Sequence, residues 1–206
     1  MFNRSLSELI FVSIAVIVSL TIHEYSHALA ATLLGDDTPK AYDRLTLNPF
    51  SHIDIAGLIA LLIVRFGWAK PVPVNPYNFK NKRIGIIITS LAGPLSNIIL
   101  AFFSIVILFK VNFTQETLGV AEFLKILFFI NTGLAVFNIL PIPPLDGSKI
   151  FAELFRGKVA YYIYSMERYS TVVLLMLLWF TPFRNLLVFI NQKLGILLIR
   201  LAEILI

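Results

Sequence analysis

Residues 23–27 read His23-Glu24-Tyr25-Ser26-His27. On an α-helix, positions four apart differ by about 40° in azimuth and about 6 Å in height. His23 and His27 would then project from one face and could share a tetrahedral metal ion. Glu24, rotated by about 100° from His23, would flank the metal without binding it, where a general base toward water belongs. Two histidines and a glutamate at this spacing are the minimal kit of a zinc hydrolase. The bland alternative is a set of polar helix residues packed against neighbouring helices.

The setting weighs against that alternative. Between Leu9 and Leu34, His23, Glu24 and His27 are the only His, Asp, Glu, Lys or Arg. That run is long enough to cross a bilayer core of about 30 Å, which takes about 20 helical residues. Ionisable groups at membrane depth are expensive unless function or a partner compensates them. The motif therefore predicts a hydrolase whose active site lies within the membrane.

A catalytic zinc ion takes three protein ligands and keeps one position open. The chain has no cysteine, so disulfides and thiolate sites are excluded and the third ligand is expected to be His or a carboxylate. Asp146, in Asn138-Ile139-Leu140-Pro141-Ile142-Pro143-Pro144-Leu145-Asp146-Gly147, is the outstanding candidate because it follows a proline-rigid turn at a membrane boundary. A helix N-cap is its structural alternative. One Zn2+ per chain is expected.

Composition agrees with a membrane protein. Of 206 residues, 58% are hydrophobic and 14% charged, whereas a soluble domain averages about 45–50% and about 25%. The net charge of +5 is assigned to loops on the cytoplasmic side, not to nucleic acid. Length allows a single domain, residues 1–206, with its core over about 9–180. The N-terminal apolar run carries the motif itself, so it is expected to be retained and not cleaved as a signal.

The expected fold is an all-α polytopic membrane protein with five to six membrane helices, a re-entrant segment and a short extended or hairpin loop. Spans are predicted from Leu9 to Leu34, from Ile84 to Phe109, from Leu118 to Leu140, and around Tyr169 to Phe180. Ile55 to Val64 is too short to cross and reads as re-entrant, with Asp54 as its cap. Residues 184–206 place Leu186, Ile190, Leu194, Leu197, Leu201 and Leu205 on one stripe, an amphipathic helix or a sixth span. Arg65 to Arg83 is basic and carries Pro71, Pro73 and Pro76, which suits an extended loop. Placing 65–83 and 149–158 in the cytoplasm sends 84–109 outward and the helices 9–34 and 118–140 inward. The His23–His27 motif and the segment after Leu140 then both fall toward the cytoplasmic side.

The motif HEYSH together with the pattern NxxPxPPLDG resembles the site-2 protease family of intramembrane zinc metallopeptidases. The resemblance is to its small prokaryotic branch without PDZ or CBS domains, and it covers roughly residues 15–180. Leu47-Asn48-Pro49 to His52-Ile53-Asp54, Lys70-Pro71-Val72-Pro73-Val74-Asn75-Pro76 and Ala92-Gly93-Pro94-Leu95-Ser96-Asn97 look like that branch as well. Ile55 departs from it, standing where relatives often have proline.

The resemblance implies that His23, His27 and Asp146 bind zinc and that Glu24 is the base. It implies that Asn138 holds the substrate backbone or the oxyanion and that Asn97 lies near the active-site groove. It further implies a multi-pass protein of a prokaryotic inner membrane whose substrates are transmembrane proteins. His52 is a candidate accessory or substrate-contacting group, against the alternative of a loop histidine bonded to backbone. Asn97 is equally open to a structural role between helices. The competing function is a metal-binding membrane transporter or sensor without peptidase activity. A transport pathway wants ionisable groups on several helices, and 84–109 has none.

Overall fold

The computed structural model describes residues 6–54, Gly57 and 68–206. Among them the regular structure is helical: α1 Leu6–Leu33, α2 Thr38–Ala41, α3 Lys82–Lys110, α4 Leu118–Asn138, α5 Asp146–Phe155, α6 Gly157–Met166, α7 Ser170–Trp179 and α8 Thr181–Ile204. Three of these, α1, α3 and α4, are long and apolar enough to cross a membrane. Val172–Trp179 and Thr181–Ile204 make a fourth only if counted as one span, because they are bent by 85° at their junction.

The expected five to six spans are therefore not reached among the described residues. The span read around Tyr169 to Phe180 and the amphipathic helix or sixth span read over 184–206 form one bent pair. Pro182 lies at the second position of α8, where a ring without an N–H starts a helix but cannot continue the preceding one. The re-entrant segment expected over 55–64 lies outside the described residues, except for Gly57. Its amide donates to Asp54 Oδ1 at 3.0 Å, the bond an N-cap makes. Among the described residues the hairpin loop shows one isolated antiparallel bridge, Ile53 with Ala69.

Two compact units divide the chain, the first up to Ser96 and the second Asn97–Ile206. In the first, α1 buries Ala15, Ser19, His23, His27 and Ala31, a stripe at four-residue spacing. The His23–His27 pair thus belongs to the packed face of its helix, while Ile10, Ile14 and Leu33 stay exposed. Hydroxyls in this apolar helix bond their own backbone: Ser19 Oγ donates to the Ala15 carbonyl at 2.6 Å and Ser26 Oγ to Ile22 at 2.7 Å. The helix closes with the Asp36 amide on the Ala31 carbonyl (2.9 Å) and the Gly35 amide on Thr32 (3.1 Å), a Schellman pattern with Gly35 at φ +101°.

In the second unit, Ala101, Ile105 and Leu108 of α3 pack with Ala121, Leu124 and Phe128 of α4 and with Leu198 and Ala202 of α8. Small residues at these contacts let membrane helices approach closely. Phe103, Ile107 and Phe129 are more than half or nearly half exposed, at 55%, 49% and 64%. In water that surface would be a liability, whereas in a bilayer it is the lipid face.

Candidate metal centre

His23 and His27 are both buried, and their Nε2 atoms lie 3.0 Å apart. Two zinc–nitrogen bonds of about 2.0–2.1 Å at a tetrahedral angle would set them about 3.3–3.4 Å apart. The observed pair is within a few tenths of an ångström of that requirement. The rings meet edge to face at 82°, with centroids 4.6 Å apart.

The orientation of His27 is fixed from the far side of its ring. Nδ1 lies 2.7 Å from the Thr89 carbonyl oxygen, which can only accept, so Nδ1 carries the proton. Nε2 is then the unprotonated nitrogen, the tautomer a metal needs. Gly93, one turn further along α3, completes the enclosure. A Cβ there would sit 2.4 Å from His27 Nε2 and 2.5 Å from His23 Cε1. Only a residue without a side chain lets the α3 backbone come this near.

Glu24 is buried beside the pair, and its Oε2 accepts a hydrogen bond of 3.1 Å from the Val72 amide. That amide belongs to the extended run Ala69–Asn75, which is held elsewhere too. The Lys70 amide donates to the His52 carbonyl at 2.8 Å, and Arg44 Nη1 donates to the carbonyls of Ser51 and Lys70. At its far end the Asn75 amide donates to Asp36 Oδ2 at 2.7 Å. Burial pushes the Asp36 carboxyl upward. Hydrogen bonds from the Thr38 hydroxyl, the Asn75 amide, the Asn78 side chain and the Thr38 amide outweigh this and hold it below its ordinary range.

The remaining predicted residues fall as follows. Asp146 is half-buried and is the first residue of α5, with Leu145 at the cap position, so it is not the N-cap. Its place in the first turn suits a negative charge. Asn138 ends α4 and donates from Nδ2 to the Leu134 carbonyl at 3.1 Å. Asn97 is fully buried and donates to Asn131 Oδ1 at 2.8 Å, while Asn131 donates to Leu127 O at 2.8 Å. His52 is 1% exposed, and its Nε2 donates to the Thr46 carbonyl at 2.8 Å. Both Asn97 and His52 have the geometry of their structural alternatives.

Sequence reasoning assigned no individual role to Thr89, Gly93, Val72 or Asp36. Thr89 and Val72 act through backbone atoms, which leave no mark on residue type. Gly93 and Asp36 had visible signals, a glycine inside an uncharged span and a carboxylate just past a helix end.

A membrane helix that presents two convergent imidazoles and a buried carboxylate defines a membrane metallohydrolase. The profile of Peptidase family M50 matches residues 112–180. A Bacillus subtilis protein named "Putative zinc metalloprotease YwhC" is 42% identical over 178 residues, covering 84% of this chain and 81% of its own. The Mycobacterium tuberculosis H37Rv protein "Putative zinc metalloprotease Rip2" is 32% identical over 170 residues, 78% of this chain and 63% of its own. "Putative zinc metalloprotease MJ0611" of Methanocaldococcus jannaschii is 44% identical over 63 residues, 30% of each. No solved structure matches the chain significantly. The chain belongs to peptidase family M50, the site-2 protease family. It is a multi-pass membrane zinc metalloprotease, and the His23–His27 pair has the donor chemistry and spacing for that ion.

Proposed function

We propose that this protein cleaves peptide bonds within or near transmembrane segments of other membrane proteins, close to the cytoplasmic face of a prokaryotic cell membrane. The observation that carries the reading is the His23–His27 pair, 3.0 Å between Nε2 atoms on the packed face of a helix long and apolar enough to span. Asp146 is proposed as the third ligand, so that two imidazole nitrogens and a carboxylate oxygen each offer one ligand atom. When bound, zinc supplies Lewis acidity toward a carbonyl and makes water acidic enough to give up a proton near neutral pH.

Glu24 takes the proton of the attacking water and passes it to the leaving amine. Its carboxylate is already oriented by the Val72 amide at 3.1 Å. Asn138 is proposed to donate to the developing oxyanion with one of its two Nδ2 protons, the other lying on the Leu134 carbonyl in this structure. A substrate helix hides its carbonyls in internal hydrogen bonds and must unwind first. The extended loop 65–83 or the re-entrant 55–64 segment is proposed to pair with the unwound strand. Asn97 and His52 are assigned supporting roles, because neither exposes side-chain surface to a substrate.

The test is membrane proteomics of cells carrying wild type or Glu24→Gln. Membrane proteins cut by the wild type should accumulate uncut in the variant. Identical fragment patterns in the two strains would refute the assignment of Glu24 and the intramembrane reading together.

A further inference from the structure

Lys70-Pro71-Val72-Pro73-Val74-Asn75-Pro76 alternates proline with residues that keep an amide proton. Prolines at 71, 73 and 76 leave four donors, on Lys70, Val72, Val74 and Asn75. Three of these reach separate anchors: the His52 carbonyl, Glu24 Oε2 and Asp36 Oδ2. Such a segment is stiff, because proline fixes φ and the extended backbone resists bending. Displacement at one anchor is therefore carried to the next instead of being absorbed.

The anchors differ in strength. Glu24 accepts a backbone bond from the run, from the Val72 amide. Asp36 has no exposed surface and receives four: Thr38 Oγ1 at 2.5 Å, Thr38 N at 3.1 Å and Asn78 Nδ2 at 2.7 Å on Oδ1, and Asn75 N at 2.7 Å on Oδ2. Four charge-assisted bonds on a buried carboxylate fix geometry in a way that one bond at the edge of an active site does not. Asp36 also lies in the Schellman turn that ends α1, so it ties the run to the helix that carries Glu24.

We propose that Asp36 is a positioning residue for catalysis: it pins the 70–76 strap to the end of α1 so that the Val72 amide holds the Glu24 carboxylate where it takes its proton. The proposal rests on Glu24 being the general base. It separates from that reading, because the anchoring makes its own prediction about the strap in the absence of any substrate.

The test uses the full chain in detergent micelles. Amide hydrogen exchange, resolved to single residues, is compared among wild type, Asp36→Asn, Asn78→Ala and Glu24→Ala. Asp36→Asn should deprotect both Asn75 and Val72, and Asn78→Ala should do the same more weakly. Glu24→Ala should deprotect Val72 and leave Asn75 protected. Turnover is then read on a synthetic transmembrane peptide, a polyleucine span broken by a central Asn-Pro. Asp36→Asn and Val72→Pro should each lower kcat about 10- to 100-fold with KM and zinc content unchanged, the effect of misplacing a catalytic group by about 1 Å. Protection of Val72 that survives Asp36→Asn overturns the proposal. So does an activity loss that follows lost zinc, or one confined to KM. If Asp36→Asn does not fold, Asn78→Ala and Val72→Pro decide the same two points. A wild type that leaves the peptide intact counts against the intramembrane reading alone, while the exchange data still judge Asp36.

Discussion

Gly93→Ala adds one methyl group at the most constrained point of the site. Its Cβ would stand 2.4 Å from His27 Nε2, 2.5 Å from His23 Cε1 and 2.6 Å from His23 Nε2. Ordinary contacts begin near about 3.5 Å, so the rings must retreat by about 1 Å or the helices must part by as much. His27 cannot turn away freely, since its Nδ1 is fixed to the Thr89 carbonyl at 2.7 Å. Metal–ligand distances tolerate only about ±0.2 Å. The expected result is a loss of zinc affinity of about 10- to 100-fold, comparable to breaking a second layer of support around a metal, together with an overpacking cost of about 1–3 kcal/mol. Gly133→Ala is the matched control: it too is a helical glycine, but an added Cβ meets nothing within 4 Å. There the substitution should be neutral or stabilise by about 0.5–1 kcal/mol. Zinc per chain, measured by elemental analysis against a competing chelator, separates the two, with helical circular dichroism to show that both variants fold. A Gly93→Ala protein that holds zinc as tightly as wild type would refute the claim that the α3 backbone encloses the His23–His27 pair.

Further outcomes follow from the same geometry. Glu24→Gln should keep one zinc per chain and lose cleavage by about 100-fold or more, checked by metal analysis beside a turnover assay. Asp146→Asn should lower zinc retention, and Asp146→Ala lower it further; unchanged metal content in the alanine variant removes Asp146 from the ligand set. Because the folded Asp36 carboxyl lies below its ordinary value, its stabilisation is complete above that value, about 3.9, and is lost as acidification passes down through the folded value. Thermal unfolding of wild type across acidic pH should show this component, and Asp36→Asn should lack it. Asn131→Ala removes the acceptor of a fully buried interhelical bond and should cost about 1 kcal/mol in detergent unfolding, without changing zinc content.

What was legible in the sequence had a periodic or compositional cause. The spans around α1, α3 and α4 followed from apolar length alone, and His23, Glu24 and His27 stood out because the apolar run from Leu9 to Leu34 carries no other His, Asp, Glu, Lys or Arg. The number of spans was not legible past Tyr169. Apolar runs on both sides of Pro182 each looked able to cross, and only the 85° bend shows them as a broken pair. The roles of Asn97 and His52 were ambiguous for a related reason: a polar side chain in an apolar segment reads the same whether it faces a substrate or a partner inside the protein. In the structure both are buried, Asn97 bonded to Asn131 and His52 to the Thr46 carbonyl.

The supports of the site escaped the sequence for a physical reason. An ionisable group on a spanning helix needs partners, and in lipid water does not supply them. Side chains are one source, but each brings its own desolvation cost to the membrane interior. Backbone groups at the site bring no ionisable charge with them. The Thr89 carbonyl already lies in a spanning helix, and the Val72 amide arrives on a segment whose prolines have removed three of its other donors. Using them lets the first unit buttress His27 and Glu24 without adding another ionisable side chain to α1 or to the part of α3 that faces them. The charged anchor, Asp36, sits beyond the end of α1, where four donors surround it. A site supported in this way shows few functional residue types outside its motif, so its fidelity depends on residues selected for shape and backbone chemistry, Gly93 and the alternating prolines among them. Substitutions there should reach the metal or the base without ever touching a ligand.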